Sequence, residues 1–172
     1  MIARPEKDEA VEFHWNYINQ VQGDDVSAVL LDQLTQFDEL LGELTEERSH
    51  HRYAPGKWTI RESMGHVTDT ERIFAYRALW FARGLPDALP GFDQDVAVVG
   101  AAADRIRLAD HLEEFRQVRL ATISMFRNLP EAAWMRSGNA SGKSITVRAL
   151  AWVMTGHVEH HLKLFREKYL TV

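Results

Sequence analysis

Val26-Ser27-Ala28-Val29-Leu30-Leu31-Asp32-Gln33-Leu34-Thr35-Gln36-Phe37-Asp38-Glu39-Leu40-Leu41-Gly42-Glu43-Leu44 is the stretch from which the fold is read. Its Val26, Leu30, Leu31, Leu34, Phe37, Leu40, Leu41 and Leu44 recur every three or four residues, which lays an apolar stripe along one side of an α-helix. Asp24 or Asp25 offers a carboxylate to the first free N–H groups, and a helix is predicted over about 25–47. Three further segments read the same way. Thr59, with Glu62 three residues on, forms a capping box that opens a helix over about 59–83, stopped by Gly84-Leu85-Pro86. Leu112, Phe115, Val118, Leu120, Ile123 and Phe126 mark a third over about 110–128, ending before Leu129-Pro130. A fourth begins near Ser144 or Thr146 and continues to Tyr169. No segment shows the sustained alternation of a strand. The expected fold is therefore all-α: an up-down four-helix bundle, one domain over 1–172, with a short extra helix before Gln22. The long crossover from Gly84 to Ala109 between the second and third helices is expected to cover one end of the bundle.

Composition narrows the function classes. The chain has 172 residues, 25 acidic against 20 basic, a net charge of −5 and no cysteine. An acidic balance argues against a phosphate-tracking nucleic-acid module. Lack of cysteine removes disulfides, thiolate metal sites and cysteine nucleophiles, and fits a reducing, cytoplasmic setting. Met1–Glu9 lacks the apolar run of a signal peptide, and no stretch approaches the ~18 apolar residues that cross a bilayer, so no membrane partner is expected. Eight histidines are the one compositional pointer toward chemistry.

Three of the eight fall together by helical geometry. In the last helix Val147, Leu150, Met154, His161, Leu164 and Phe165 share roughly 100° of arc with His157 at its margin, while His160 points away from the arc. Two imidazoles one turn apart on an inward face is a spacing that helical metal sites use. In the second helix Thr59, Ser63, His66 and Thr70 draw a polar line beside Ile60, Val67, Phe74 and Phe81. Gly65 precedes His66 and Gly156 precedes His157. A helix-interior glycine costs about 1 kcal/mol relative to alanine, and close approach of a neighbouring backbone would offset it. Spacing does not show that the two helices meet; a ligand set and a set of hydrogen-bonded core histidines both fit it.

The order Arg52-Tyr53-Ala54-Pro55-Gly56-Lys57-Trp58-Thr59-Ile60-Arg61-Glu62, then Gly65-His66 with Thr70-Glu71-Arg72, then Leu89-Pro90-Gly91-Phe92-Asp93-Gln94-Asp95, and last Gly156-His157-Val158-Glu159-His160-His161 resembles the DinB-like (DinB/YfiT) family of metal-dependent enzymes from about Tyr17 to Tyr169. The resemblance implies a four-helix bundle, often a homodimer, with a divalent metal on His66, His157 and His161. The surplus apolar residues Leu79, Trp80 and Trp152, off the main stripes, agree with a dimer.

Three imidazoles leave the ion its full charge and an open position, and suit zinc or nickel. A water or a substrate thiol there would be acidified. The resemblance implies a transferase using a low-molecular-weight thiol, or a hydrolase, acting on a small molecule. Without cysteine, the thiol has to arrive with a small molecule. A non-catalytic metal-binding or dimerisation bundle is the rival. Arg77 is a candidate for holding an anionic group, and Asp93 and Asp95 for bringing carboxylates over the site; a surface ion pair and turn or cap roles are their structural alternatives. Trp58 reads as a packing anchor, and Glu71, Arg72 and Glu159 as interhelical or solvated charge pairs. No general base stands out. Gly138-Asn139-Ala140-Ser141-Gly142-Lys143-Ser144 imitates a phosphate loop but is one residue short between its glycines and follows no strand. Glu47-Arg48-Ser49-His50 is a single Glu-x-x-His where a di-iron bundle needs two. His14, His50, His51 and His111 read as surface or boundary residues.

Overall fold

The computed structural model describes residues 2–171. Four long helices form the bundle: α2 (Val26–Leu41), α4 (Ile60–Ala82), α6 (Leu108–Arg127) and α7 (Val147–Leu164). Short helices α1 (Glu12–Ile18), α3 (Glu46–Ser49) and α5 (Gln94–Ala101) surround it. Close packing joins α4 to α6 and α7, and α2 to the same two helices. The chain-consecutive pairs α2/α4 and α6/α7 therefore lie across the bundle from each other, an order that periodicity does not encode. Among the described residues no helix is long and apolar enough to cross a membrane.

Local chemistry sets the helix starts. Thr59 and Glu62 make the reciprocal capping box of α4, Asp25 accepts from the Ser27 N–H at α2, and Thr146 accepts from Ala149 at α7, each satisfying an otherwise free N–H. Two boundaries differ from expectation. Helix α2 stops at Leu41 rather than near Glu47, because Thr45 caps a new turn by accepting from Arg48. Helix α6 starts at Leu108, two residues before Asp110; its first N–H donates to the Glu46 carboxylate at 3.2 Å, a cap supplied from a distant segment. Beyond α7, Phe165–Tyr169 continues as one wider π turn.

The chain also holds a strand pair that alternation does not announce. Residues Ser137–Ala140 (β1) and Lys143–Thr146 (β2) pair antiparallel around Ser141 and Gly142, whose φ angles of 56° and 75° belong to a two-residue hairpin turn. Four-residue strands are too short to display a period. The stretch that imitates a phosphate loop is this hairpin, with no helix N-terminus cradled by its glycines.

The core has an apolar and a charged part. Trp152, expected as a surplus surface residue, is fully buried; its Nε1–H donates to Ala3 O at 2.9 Å and the Arg4 guanidinium lies over its ring. Leu79 and Trp80 do stay at or near the surface. Arg119, completely buried in α6, pairs with Glu71 of α4 (Nε–Oε1 2.9 Å) and donates to Gln33 Oε1 of α2 at 2.7 Å. Gln33 Nε2 in turn donates to Glu159 Oε1 of α7 at 2.6 Å. This chain of contacts ties together all four bundle helices. His111 is likewise buried, neither a surface nor a boundary residue, its Nε2 2.9 Å from Ala103 O.

The crossover does not simply close one end. Its helix α5 and the turn Ala103–Arg105 lie against α4, on the side that carries His66.

Candidate metal centre

Helices α4 and α7 bring His66, His157 and His161 together. All three are buried, and one ring nitrogen from each lies within 4.8 Å of the others. His66 Nε2 and His157 Nε2 are 3.1 Å apart. Two bonds of about 2.1 Å at a tetrahedral angle put nitrogens ~3.4 Å apart, so His66 and His157 already stand close to sharing distance and the widest separation in the cluster has to close by about an ångström to share one ion. Gly156 and Gly65 allow the two helices to come so close to their neighbours. A Cβ on Gly156 would sit 2.1 Å from the backbone oxygen of Tyr17, so α1 rests directly on α7 beside His157. At Gly65 the close neighbour is the Ala103 side chain of the crossover, 3.2 Å from an added Cβ.

The second ring nitrogen of two histidines faces a hydroxyl: His161 Nδ1 lies 3.2 Å from Ser63 Oγ and His66 Nδ1 3.4 Å from Thr70 Oγ1. Ser63 and Thr70 thus belong to the polar line read from α4. A hydroxyl accepting an Nδ1–H leaves the Nε2 lone pair free for an ion and fixes the ring. Burial disfavours the charged imidazolium, and His160 adds repulsion, so the His66 pKa is lowered to about 4. Burial and the neighbouring rings push His157 and His161 well below the usual histidine value. At neutral pH the cluster is three neutral donors, the protonation state a cation requires. The residues fit a divalent metal.

Two cavities meet at the cluster. The first, about 180 Å³, runs between α1, α4 and the hairpin; His66 and His157 line it together with Phe74, Arg77 and Lys143. The second, about 320 Å³, opens toward Tyr53, Lys57, Trp58 and Asp95, with all three histidines in its wall. Tyr17 and Gln94 line both. His160 is exposed and borders the second cavity, as its direction on the helix implied.

The other expected site residues separate. Arg77 enters the first cavity, half-buried, donating to Pro90 O and Ser141 Oγ at 3.0 Å each, and forms no surface ion pair. Asp95 lines the second. Asp93 lines neither; its carboxylate caps α5 by accepting from the Asp95 and Val96 N–H groups. Trp58 is more than a packing anchor: its ring stacks obliquely 4.8 Å from His66 and walls the second cavity. His14, Tyr17 and Lys143 at the first cavity have no signal in the sequence, since a seven-residue helix and a short hairpin carry them there.

The fold and the family are shown by comparison. The structure of YfiT from Bacillus subtilis, a probable metal-dependent hydrolase with an unusual four-helix bundle topology, superposes with a TM-score of 0.73 at 15% identity, over 95% of this chain and 90% of that one. The mycothiol-dependent maleylpyruvate isomerase gives a TM-score of 0.68 at 12% identity, over 85% of this chain and 61% of that one. At such identities the likeness is one of fold. No curated protein matches the chain by sequence. The family model of the DinB superfamily matches residues 30–165, a span that contains the four bundle helices except the first four residues of α2, and all three clustered histidines, and the chain belongs to that superfamily.

Proposed function

We propose that this protein is a metal-dependent enzyme in which His66, His157 and His161 hold one divalent transition metal, zinc or nickel, and that it transfers a small-molecule thiol to a small electrophile. The supporting observation is the meeting of two separate cavities at one cluster of three neutral imidazoles. A hydrolase needs room for one organic substrate and water; two cavities suit two organic reactants. That the isomerase of the same fold is mycothiol-dependent agrees with a thiol reactant.

When bound, the ion would acidify a thiol or water and polarise an electrophile. The protein's own residues do the rest. Ser63 Oγ and Thr70 Oγ1 lie against Nδ1 of His161 and His66 and, accepting an Nδ1–H there, would aim the opposite nitrogens into the site. Burial keeps the imidazoles unprotonated at neutral pH. Phe74 and Tyr17, with ring centroids 6.0 and 5.8 Å from His157, and Trp58 beside His66 restrict water around the cluster. Arg77 and Asp95 contact the reactants from opposite cavities.

Freshly purified protein is expected to carry about one equivalent of zinc or nickel, and His157→Ala to lose it. Incubated with a panel of low-molecular-weight thiols and a generic electrophile such as 1-chloro-2,4-dinitrobenzene, the metal-loaded protein is expected to form thioether. Hydrolysis without thiol consumption would select the hydrolase; bound metal without turnover of either kind would select the non-catalytic bundle. We also propose a homodimer through the exposed Tyr76 and Leu79; a monomer at micromolar concentration on sedimentation would contradict it.

A further inference from the structure

The first cavity has a charge composition opposite to that of the chain. The protein carries an excess of acidic residues, yet the lining of this cavity includes Arg77, Lys143 and His14 and no carboxylate. Among the described residues neither Arg77 nor Lys143 forms an ion pair. Arg77 spends one guanidinium nitrogen on Pro90 O and Ser141 Oγ, and the Lys143 ammonium lies 4.6 Å from the Phe13 ring centroid. His14 Nδ1 is buried without a hydrogen-bond partner. Burial, with repulsion from Lys143 and Arg77, lowers the His14 pKa to about 4, in keeping with all three side chains lining one cavity. The remainder of the lining is largely apolar, with Ile73, Phe74, Phe92, Leu150 and Val153. Two unpaired cations half out of water favour occupation by an anion, because desolvation strengthens an opposite charge placed beside them.

The opposite end of the same cavity is the histidine cluster. Arg77 follows His66 by eleven residues, three turns of α4, so both side chains leave the same face about 16 Å apart along the axis. A helical side chain leans toward its N-terminus, which brings the guanidinium back toward His66.

We propose that the first cavity selects small organic carboxylates with an apolar body: Arg77 and Lys143 hold the carboxylate, His14 donates to it, and the apolar segment points the far end of the molecule at His66 and His157. This deepens the proposed function, on which the identity of the reacting end rests; recognition of the anion does not depend on the metal. The thiol reactant then enters by the second cavity.

The test is binding of 3-phenylpropanoate, its neutral amide and 2-phenylethyl phosphate to the full-length protein as purified, followed by calorimetry or ligand-observed NMR. The expected result is carboxylate binding about tenfold or more tighter than the amide and tighter than the phosphate, weakened about tenfold by Lys143→Met and by Arg77→Lys, and retained in His157→Ala. Among the described residues the Lys143 ammonium makes no hydrogen bond and no ion pair, only its contact with the Phe13 ring, so its substitution keeps the test valid if Arg77→Lys loosens the hairpin. Equal affinity for amide and carboxylate, preference for the phosphate, or indifference to Lys143→Met would overturn the proposal. Binding abolished by His157→Ala would mean that the anion sits on the metal, and would overturn it too. The three-histidine reading is judged separately, by metal content: anion binding with no metal at the histidines sinks that reading alone, and bound metal without anion selectivity sinks this one alone.

Discussion

Among the described residues, two of the polar clusters between the bundle helices are built on opposite principles. Arg119, Glu71, Gln33 and Glu159 set unlike groups face to face: a guanidinium against a carboxylate, an amide oxygen against the guanidinium, an amide N–H against a second carboxylate. His66, His157 and His161 set like groups face to face, with nitrogens of two rings 3.1 Å apart and hydroxyls only at their backs. Glu71 lies five residues from His66 on α4, and Glu159 two residues from His157 on α7, so the same pair of helices carries both. The first arrangement sets its buried guanidinium against a carboxylate and so needs no further ion. The second is completed by a cation. A buried polar cluster therefore reads as scaffold when its members are complementary and as a site when they are alike.

The largest expected effect that sharpens this contrast is on stability. Arg119→Met leaves the Glu71 carboxylate buried opposite no cation and is expected to lower the unfolding free energy by about 3–5 kcal/mol. His161→Leu, in metal-free protein, keeps the volume and is expected to change it by under about 1.5 kcal/mol. Urea unfolding of the chelated proteins measures both. Similar losses at the two positions would break the contrast.

A smaller effect concerns the hydroxyls. Ser63→Ala and Thr70→Val are each expected to weaken metal binding by about 10–100-fold, the usual consequence of removing a partner that orients a ligating histidine. Gln33→Leu, in the complementary cluster, is expected to leave metal affinity unchanged. Competition against a chromophoric chelator reads these values.

The smallest effect at neutral pH is one of protonation, and it grows with acid. The unfolded histidines titrate near 6.5, whereas burial holds His66 at about 4 and the other two well below their usual value. Below 6.5 the unfolded chain binds more protons than the native one. The stability of metal-free protein is thus fully present above about pH 6.5 and declines as pH falls toward 4. His66→Phe is expected to flatten that decline, seen as a smaller shift of the urea midpoint between pH 7 and pH 5. An unchanged slope would mean that the imidazoles are not the groups held neutral.

How much of this was legible depended on where each residue's partners sit in the chain. His157 and His161 are one turn apart, and His66 shares its face with Ser63 and Thr70; such relations are local and follow from 3.6 residues per turn. Gly156 signalled a close approach but not that Tyr17 makes it. The start of α6 was misplaced because Glu46, sixty-two residues earlier, supplies the cap. The hairpin escaped because four-residue strands have no period, and with it Lys143 and the cation pair of the first cavity. His111 reads as a surface or boundary residue and Trp152 as surplus to the main stripes because their burying partners, Ala103 and the N-terminal Ala3 and Arg4, are residues that no helical stripe includes.

The most direct test of the central claim, that three like donors are arranged to share one cation, is an anomalous-scattering map from crystals of freshly purified protein, recorded above and below the zinc and nickel edges. A single strong peak is expected among His66, His157 and His161, about 2.1 Å from one nitrogen of each. A map without that peak, with the rings joined nitrogen to nitrogen by shared protons, would contradict it.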